Sequence, residues 1–166
     1  MATDFLTLLR RDHLDLQRGL DELLDPAATI VEIRSALDGV RLGLTAHAEA
    51  EDIVLYRAIR RCRRARELEA LIGEARAGHL SQEGALGALV CTPLGTASWR
   101  DRALALRSLV AEHAAWEEEH VLPAIREADA EIYATLAGAF ATERLRQLAM
   151  LQPSAPIYVP ELAQAS

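Results

Sequence analysis

Residues 111–125 read AEHAAWEEEHVLPAI. With Leu106 and Val110 just upstream, the spacing predicts a helical stripe whose apolar members, Leu106, Val110 and Ala124, face a core. The same stripe runs through His113, Glu117 and His120. Burying an unpaired carboxylate costs several kcal/mol even after relaxation, and a cation held between helices removes that cost.

Apolar residues elsewhere recur at intervals of three and four, never at a sustained two. A first helix aligns Phe5, Leu9, His13, Leu16, Leu20 and Leu23. A second aligns Ile30, Ile33, Leu37, Val40, Leu44, His47, Glu51, Leu55 and Ala58. The third carries Leu68, Ile72, Ala75, His79, Gln82, Leu86 and Leu89, and the fourth runs from Trp99 through Ala103 into the opening stretch. Stripes this regular are the seams of a bundle facing one axis. A looser stripe of Ile132, Leu136, Phe140 and Leu145 marks a further helix packed outside the four.

Breaks fall at DPAAT (Asp25 to Thr29) and CTPLGTAS (Cys91 to Ser98), more weakly at RRCRRAR (Arg60 to Arg66), and at the proline-containing QPSAPIYVPELAQAS from Gln152. The expected fold class is therefore all-α, an up-down-up-down four-helix bundle with an additional C-terminal helix and an extended tail. One domain spans residues 1–150, with halves at about 5–60 and 68–126 and the extra helix at about 128–150. Residues 151–166 form the tail.

Composition narrows the function. The chain has 166 residues, enough for one domain with a real core, and 51% are hydrophobic but only 4% aromatic. A formal net charge of -7 argues against a nucleic-acid partner, and RRCRRAR reads as a solvated helix end. Cys62 and Cys91 have no CxxC context and read as reduced thiols. Thr3 or Asp4 reads as an N-cap for a helix that starts at once, so no secretory leader is expected. No apolar run reaches ~18 residues, so no membrane span is expected and the cytoplasm is the simplest location. Signatures of zinc hydrolases, nucleophile elbows and phosphate loops are missing. A ferritin-like site needs Glu-x-x-His on two helices, and only Glu117 to His120 has that spacing.

The histidines carry the chemistry. His13 to His47 is 34 residues and His79 to His113 is also 34; Glu51 and Glu117 each follow a histidine by four. One pattern, H-x33-H-x3-E, thus occurs twice with an offset of 66. HAEAEDIVLYRAIR (47–60) aligns without gaps to HAAWEEEHVLPAIR (113–126), which suggests two helix pairs about a pseudo-twofold axis. Residues four apart on a helix have Cβ atoms ~5 to 6 Å apart on one face, so His and Glu of one turn can share a metal or bridge two. In the bundle, His13, His47 and Glu51 meet His79, His113 and Glu117 at one level. Four imidazoles and two carboxylates without thiolate favour a dinuclear non-haem iron centre over manganese or zinc. The helix lengths on either side of the first break differ, ~18 Å from His13 against ~27 Å to His47, and the loop must absorb the difference.

An isolated histidine on helices one and three, with H-x-x-x-E followed by Leu55-Tyr56 or Leu122-Pro123 on helices two and four, resembles the hemerythrin-like (HHE cation-binding) family over about residues 5–127. The resemblance implies a four-helix bundle holding two non-haem iron ions with an oxo, hydroxo or water bridge. Glu51 and Glu117 would be the bridging carboxylates, and His13, His47, His79 and His113 the terminal ligands. The centre would meet O2, peroxide or NO, with an oxidase or peroxidase type of activity. The oxygen carriers of the family have a second histidine where this chain has Glu83, and their fourth-helix carboxylate would fall on Glu118. Fewer protein ligands favour reaction or iron sensing over reversible carriage.

His120 has Val54 as its repeat partner and reads as a bundle-end histidine rather than an extra ligand or second-layer group. Glu49, Asp52, Glu118 and Glu119 read as a solvated acidic face, and Tyr56 and Trp116 as packing residues near the site. The alternative function is an iron- or oxygen-sensing module that signals to a protein partner, with the tail around Tyr158 to Leu162 as the docking segment. A homo-oligomer is also compatible with the sequence.

Overall fold

Short polar side chains set where most of the helices begin. In a computed structural model, which describes residues 4–62 and 64–152, α1 (Phe5–Leu23) starts at Asp4, whose carboxylate accepts from the Thr7 amide. α2 (Ile30–Ile59) starts at Thr29 in a reciprocal capping box with Glu32. α3 (Ala65–Val90) follows the arginine-rich break without a side-chain cap. Gly95, at φ 82°, takes the left-handed conformation that glycine adopts without strain. Thr96 then caps α4 (Ala97–Trp116), accepting from the Trp99 amide. The fourth rod continues through a π-helical turn, Glu117–Val121, into α5 (Leu122–Ala128). Asp129 caps α6 (Ala130–Leu151) through the Ile132 amide.

α1 packs between α2 and α4, and α3 packs between the same two, which closes a four-rod ring; α6 lies across α2 and α1. The described residues are helical with no strand, and no described helix is long and apolar enough to cross a membrane. Cys62 is buried and Cys91 exposed, both as free thiols. Arg63, and residues 153–166 with the tail segment Tyr158 to Leu162, lie outside the described residues.

The apolar core is divided in two. One cluster gathers Phe5, Leu9, Leu55, Ile72, Leu122, Ile125, Leu136 and Phe140 among others. The second gathers Leu16, Leu20, Leu44, Leu86, Leu89, Trp99, Leu106 and Val110. Between them, by position along the rods, lies a polar layer: His13, His47, Glu51, His79, Gln82 and Glu117 are all buried.

The buried face of α3 is the stripe its sequence predicts, Leu68 through Leu89. Three other stripes need correction. No residue of α2 before Val40 is buried, and Ile30 is 50% exposed. The length mismatch across the first break therefore falls on a thinly covered end of α2 rather than on the loop. In the fourth rod the Leu122 amide donates to the Glu117 carbonyl, five residues back, and that wider turn shifts the seam by one residue. Val121 and Ile125 are buried, while His120 is exposed and Ala124 half-buried. On α6, Leu145 is 68% exposed, because the buried face turns through Tyr133, Leu136, Phe140, Glu143 and Gln147. The two polar members satisfy each other, Gln147 Nε2 donating to Glu143 Oε1 at 2.9 Å.

Leu106 is fully buried in the second cluster. Leu106→Ala is expected to lower the free energy of unfolding by ~2–5 kcal/mol, the range for a leucine cavity. Urea denaturation of the wild type and the variant, at equal metal loading, measures it.

Candidate metal centre

Each imidazole of the polar layer has two nitrogens with different surroundings. His47 Nδ1 donates to Asp12 Oδ2 at 2.9 Å, and Arg144 of α6 grips the same carboxylate at 2.7 Å through both Nε and Nη2. His79 Nδ1 donates to Asp52 Oδ1 at 2.9 Å. His13 Nδ1 donates to Glu118 Oε1 at 2.9 Å, and Arg10 Nε donates to the other oxygen at 2.7 Å. A carboxylate on Nδ1 fixes the ring and leaves the Nε2 lone pair for a metal. Among the described residues His113 has no such partner. Its ring lies against Gly78, where a Cβ would stand only 2.3 Å from His113 Nδ1.

The Nε2 atoms converge on the two glutamates, which have no exposed surface. Glu51 Oε2 is 3.5 Å from His47 Nε2 and 3.6 Å from His79 Nε2. Glu117 Oε2 is 3.5 Å from His13 Nε2, and its Oε1 is 3.6 Å from His79 Nε2 and 2.9 Å from His113 Nε2. Two atoms each ~2.1 Å from one ion stand ~3.0 Å apart in an octahedron and ~3.4 Å in a tetrahedron. Four of the five separations, at 3.5–3.6 Å, are thus long for hydrogen bonds and close to ligand–ligand edges, and the 2.9 Å His113–Glu117 separation matches the octahedral edge. Both carboxylates reach histidines from both halves of the chain.

Two groups each bring their ligand atoms within 4.8 Å of one another: His13, His47, Glu51 and Glu117, and His79, His113 and Glu117. Among the described residues nine buried side-chain nitrogens and oxygens have no hydrogen-bond partner, and seven of them belong to His13, Glu51, His79, His113 and Glu117. Buried polar atoms are seldom left unpaired in native proteins, so a cluster of them marks a place built for a ligand. The donor set fits a metal that accepts imidazole and carboxylate.

Charge makes the same case. Burial alone would lower the pKa of His13, but the Glu117 carboxylate close to its Nε2, the field of Glu51 and the hydrogen bond to Glu118 raise it to about 9. Burial likewise opposes protonation of His79, yet Asp52 and Glu51 raise it to about 10. Burial would push Glu117 up, while His113 and His13 hold it well below the usual carboxylate range. In the metal-free protein, protons on imidazole neutralise the buried carboxylates, and a metal ion competes with them for the same lone pairs.

The structure corrects several sequence readings around this layer. Asp52 and Glu118 are not a solvated face, since each holds a histidine ring. Glu49 and Glu119 are exposed as expected. His120 lies at the surface, its ring stacked on Trp116 at 5.7 Å and its Nδ1 donating to the Trp116 carbonyl. Tyr56 and Glu83 are exposed, and Gln82 rather than Glu83 faces inward. Asp12 and Arg144 drew no notice from the sequence. A usable signal existed for the acids, because Asp52 and Glu118 are themselves 66 residues apart and each directly follows a candidate bridging glutamate.

A four-rod bundle with a buried layer of histidine and glutamate is a cation-binding helical protein in its architecture. Comparison with known families matches residues 4–125 to the hemerythrin HHE cation binding domain, and the chain belongs to that family. Searches for similar curated proteins and for similar solved structures found no match.

Two outcomes follow from this geometry. His13 and His79 have folded pKa values above their unfolded value of ~6.5, so their contribution to stability is complete below that pH and is lost as pH rises through about 9 and about 10. The urea midpoint of metal-free protein is expected to fall between pH 6.5 and 10, with a shallower fall in His13→Gln. Gly78→Ala is expected to displace the His113 ring and weaken metal binding about tenfold or more. Gly84→Ala, where a Cβ meets nothing within 4 Å, is expected to leave binding unchanged and stabilise the helix by ~0.5–1 kcal/mol. Metal titration and thermal unfolding of the two variants distinguish them.

Proposed function

We propose that this chain holds a dinuclear non-haem iron centre, with Glu51 and Glu117 as bridging carboxylates, and that the centre reacts with O2, peroxide or NO. His13 and His47 serve one ion and His79 and His113 the other. The observation that carries this reading is the position of the glutamates, each between histidines of both helix pairs. A single-ion site would need only one such set.

Iron suits imidazole and carboxylate donors without thiolate, and when bound it supplies one-electron chemistry and affinity for small oxygen and nitrogen ligands. The protein supplies position and charge. Asp12, Asp52 and Glu118 hold three rings by Nδ1 and raise their basicity as donors. Arg144 and Arg10 pair with two of those acids, Asp12 and Glu118, and hold them in place. The apolar clusters above and below close the layer at its two ends. Glu83 at the surface supplies no fifth inward histidine, so the donor set favours reaction over reversible carriage.

Glu51→Ala and Glu117→Ala are each expected to lose most of the bound iron, read by elemental analysis of protein loaded under anaerobic ferrous conditions. Retention of two full equivalents by either variant would overturn the bridging assignment. The ferrous wild type is expected to change its near-ultraviolet absorption within seconds of exposure to at least one of O2, hydrogen peroxide and NO. An unchanged spectrum with all three would remove the proposed reactivity.

A further inference from the structure

A cleft of about 410 Å³ runs between α2 and α3 and reaches His79 and Gln82. A diatomic ligand fills a small fraction of it, whereas small-molecule sites commonly occupy ~300–1,000 Å³. Its walls include Leu44, Ile53, Ile72, Leu80 and Leu86. Gln82 is only 2% exposed, lines the cleft, and has an amide Nε2 with no hydrogen-bond partner. An unpaired buried donor is costly unless a rearrangement of its side chain or a bound molecule gives it an acceptor.

The polar residues of the cleft carry an uneven charge. Glu49, Asp52 and Glu83 line it against Arg76, whose Nε is 3.6 Å from Asp52 Oδ2, and His79, which donates to the other Asp52 oxygen, so acids outnumber cations. That balance disfavours an anionic occupant. The cleft also reaches the histidine and glutamate layer through His79.

We propose that the α2–α3 cleft binds an organic molecule, neutral or cationic, with an apolar body and a carbonyl or hydroxyl oxygen that accepts from Gln82 Nε2. Its placement beside a metal rests on the function proposed above. The binding itself does not, which keeps the two separable.

The test uses full-length zinc-loaded protein, or metal-free protein if zinc does not bind, with the neutral naphthalene ketone prodan as probe. Saturable binding at a single site with blue-shifted emission is expected. Ala48→Phe, which fills the cleft, is expected to abolish it, and Gln82→Leu to weaken it about threefold to tenfold, the share of one hydrogen bond. Leu80→Asp, at an exposed lining position, provides a second block should Ala48→Phe fail to fold. The anion 8-anilinonaphthalene-1-sulfonate is expected to bind at least about tenfold more weakly than prodan, because like charges repel at the rim. Absence of saturable prodan binding, binding that the blocking variants leave unchanged, or equal affinity for the anion would overturn the proposal. Failure to take up zinc with prodan binding intact would count against the metal centre alone.

Discussion

Two carboxylates with no exposed surface, Glu51 and Glu117, sit at the middle of this bundle with only histidines as charged partners in reach among the described residues. The rest of the structure answers that constraint. The core splits into two apolar clusters because neither can extend across a charged layer. The imidazoles turn Nε2 toward the glutamates, and three of them need an acid on Nδ1 to hold that orientation. The acids in turn draw arginines, and one of these, Arg144, comes from α6. The additional helix therefore completes the charge network as well as covering the bundle. Phe140, on the same helix, packs edge-on against His47 at 5.8 Å.

The two halves of the chain share a plan and depart from it at one informative place. The His79–Asp52 and His13–Glu118 pairs are repeat equivalents, each reaching from one half to the other. By the same offset of 66, Asp12 on His47 corresponds to Gly78 on His113. One histidine is held by a buried acid and an arginine, and its equivalent by close contact with a glycine. The first half is thus sealed by α6, while the second meets the α2–α3 cleft through His79. The repeated plan thus has one side covered by α6 and one side that meets a cleft.

Much of this was legible in the sequence, for a physical reason. A bundle seam repeats every three or four residues, so apolar and ligand positions share one period, and on α1 and α3 the predicted stripes hold from end to end. The π turn was not legible, because Glu118, Glu119 and His120 give no apolar mark that reveals an extra residue in the turn. Leu145 was misplaced because α6 buries Glu143 and Gln147, and hydrogen-bonded polar residues leave no hydrophobic periodicity. The Asp12–Arg144 contact joins residues 132 apart, and nothing local to either one signals the other. Asp52 and Glu118 lay in the repeat pattern itself, yet surface acids are so common that their alignment read as solvation.

The most direct test of the central claim is X-ray absorption fine structure on iron-loaded protein, combined with iron analysis of the same sample. The account predicts two irons per chain, imidazole in the scattering envelope, and an iron–iron vector in the ~3.5–4 Å range of two-metal sites, or somewhat shorter if an oxo group also bridges. A single iron per chain, or two without an iron–iron vector, would contradict it.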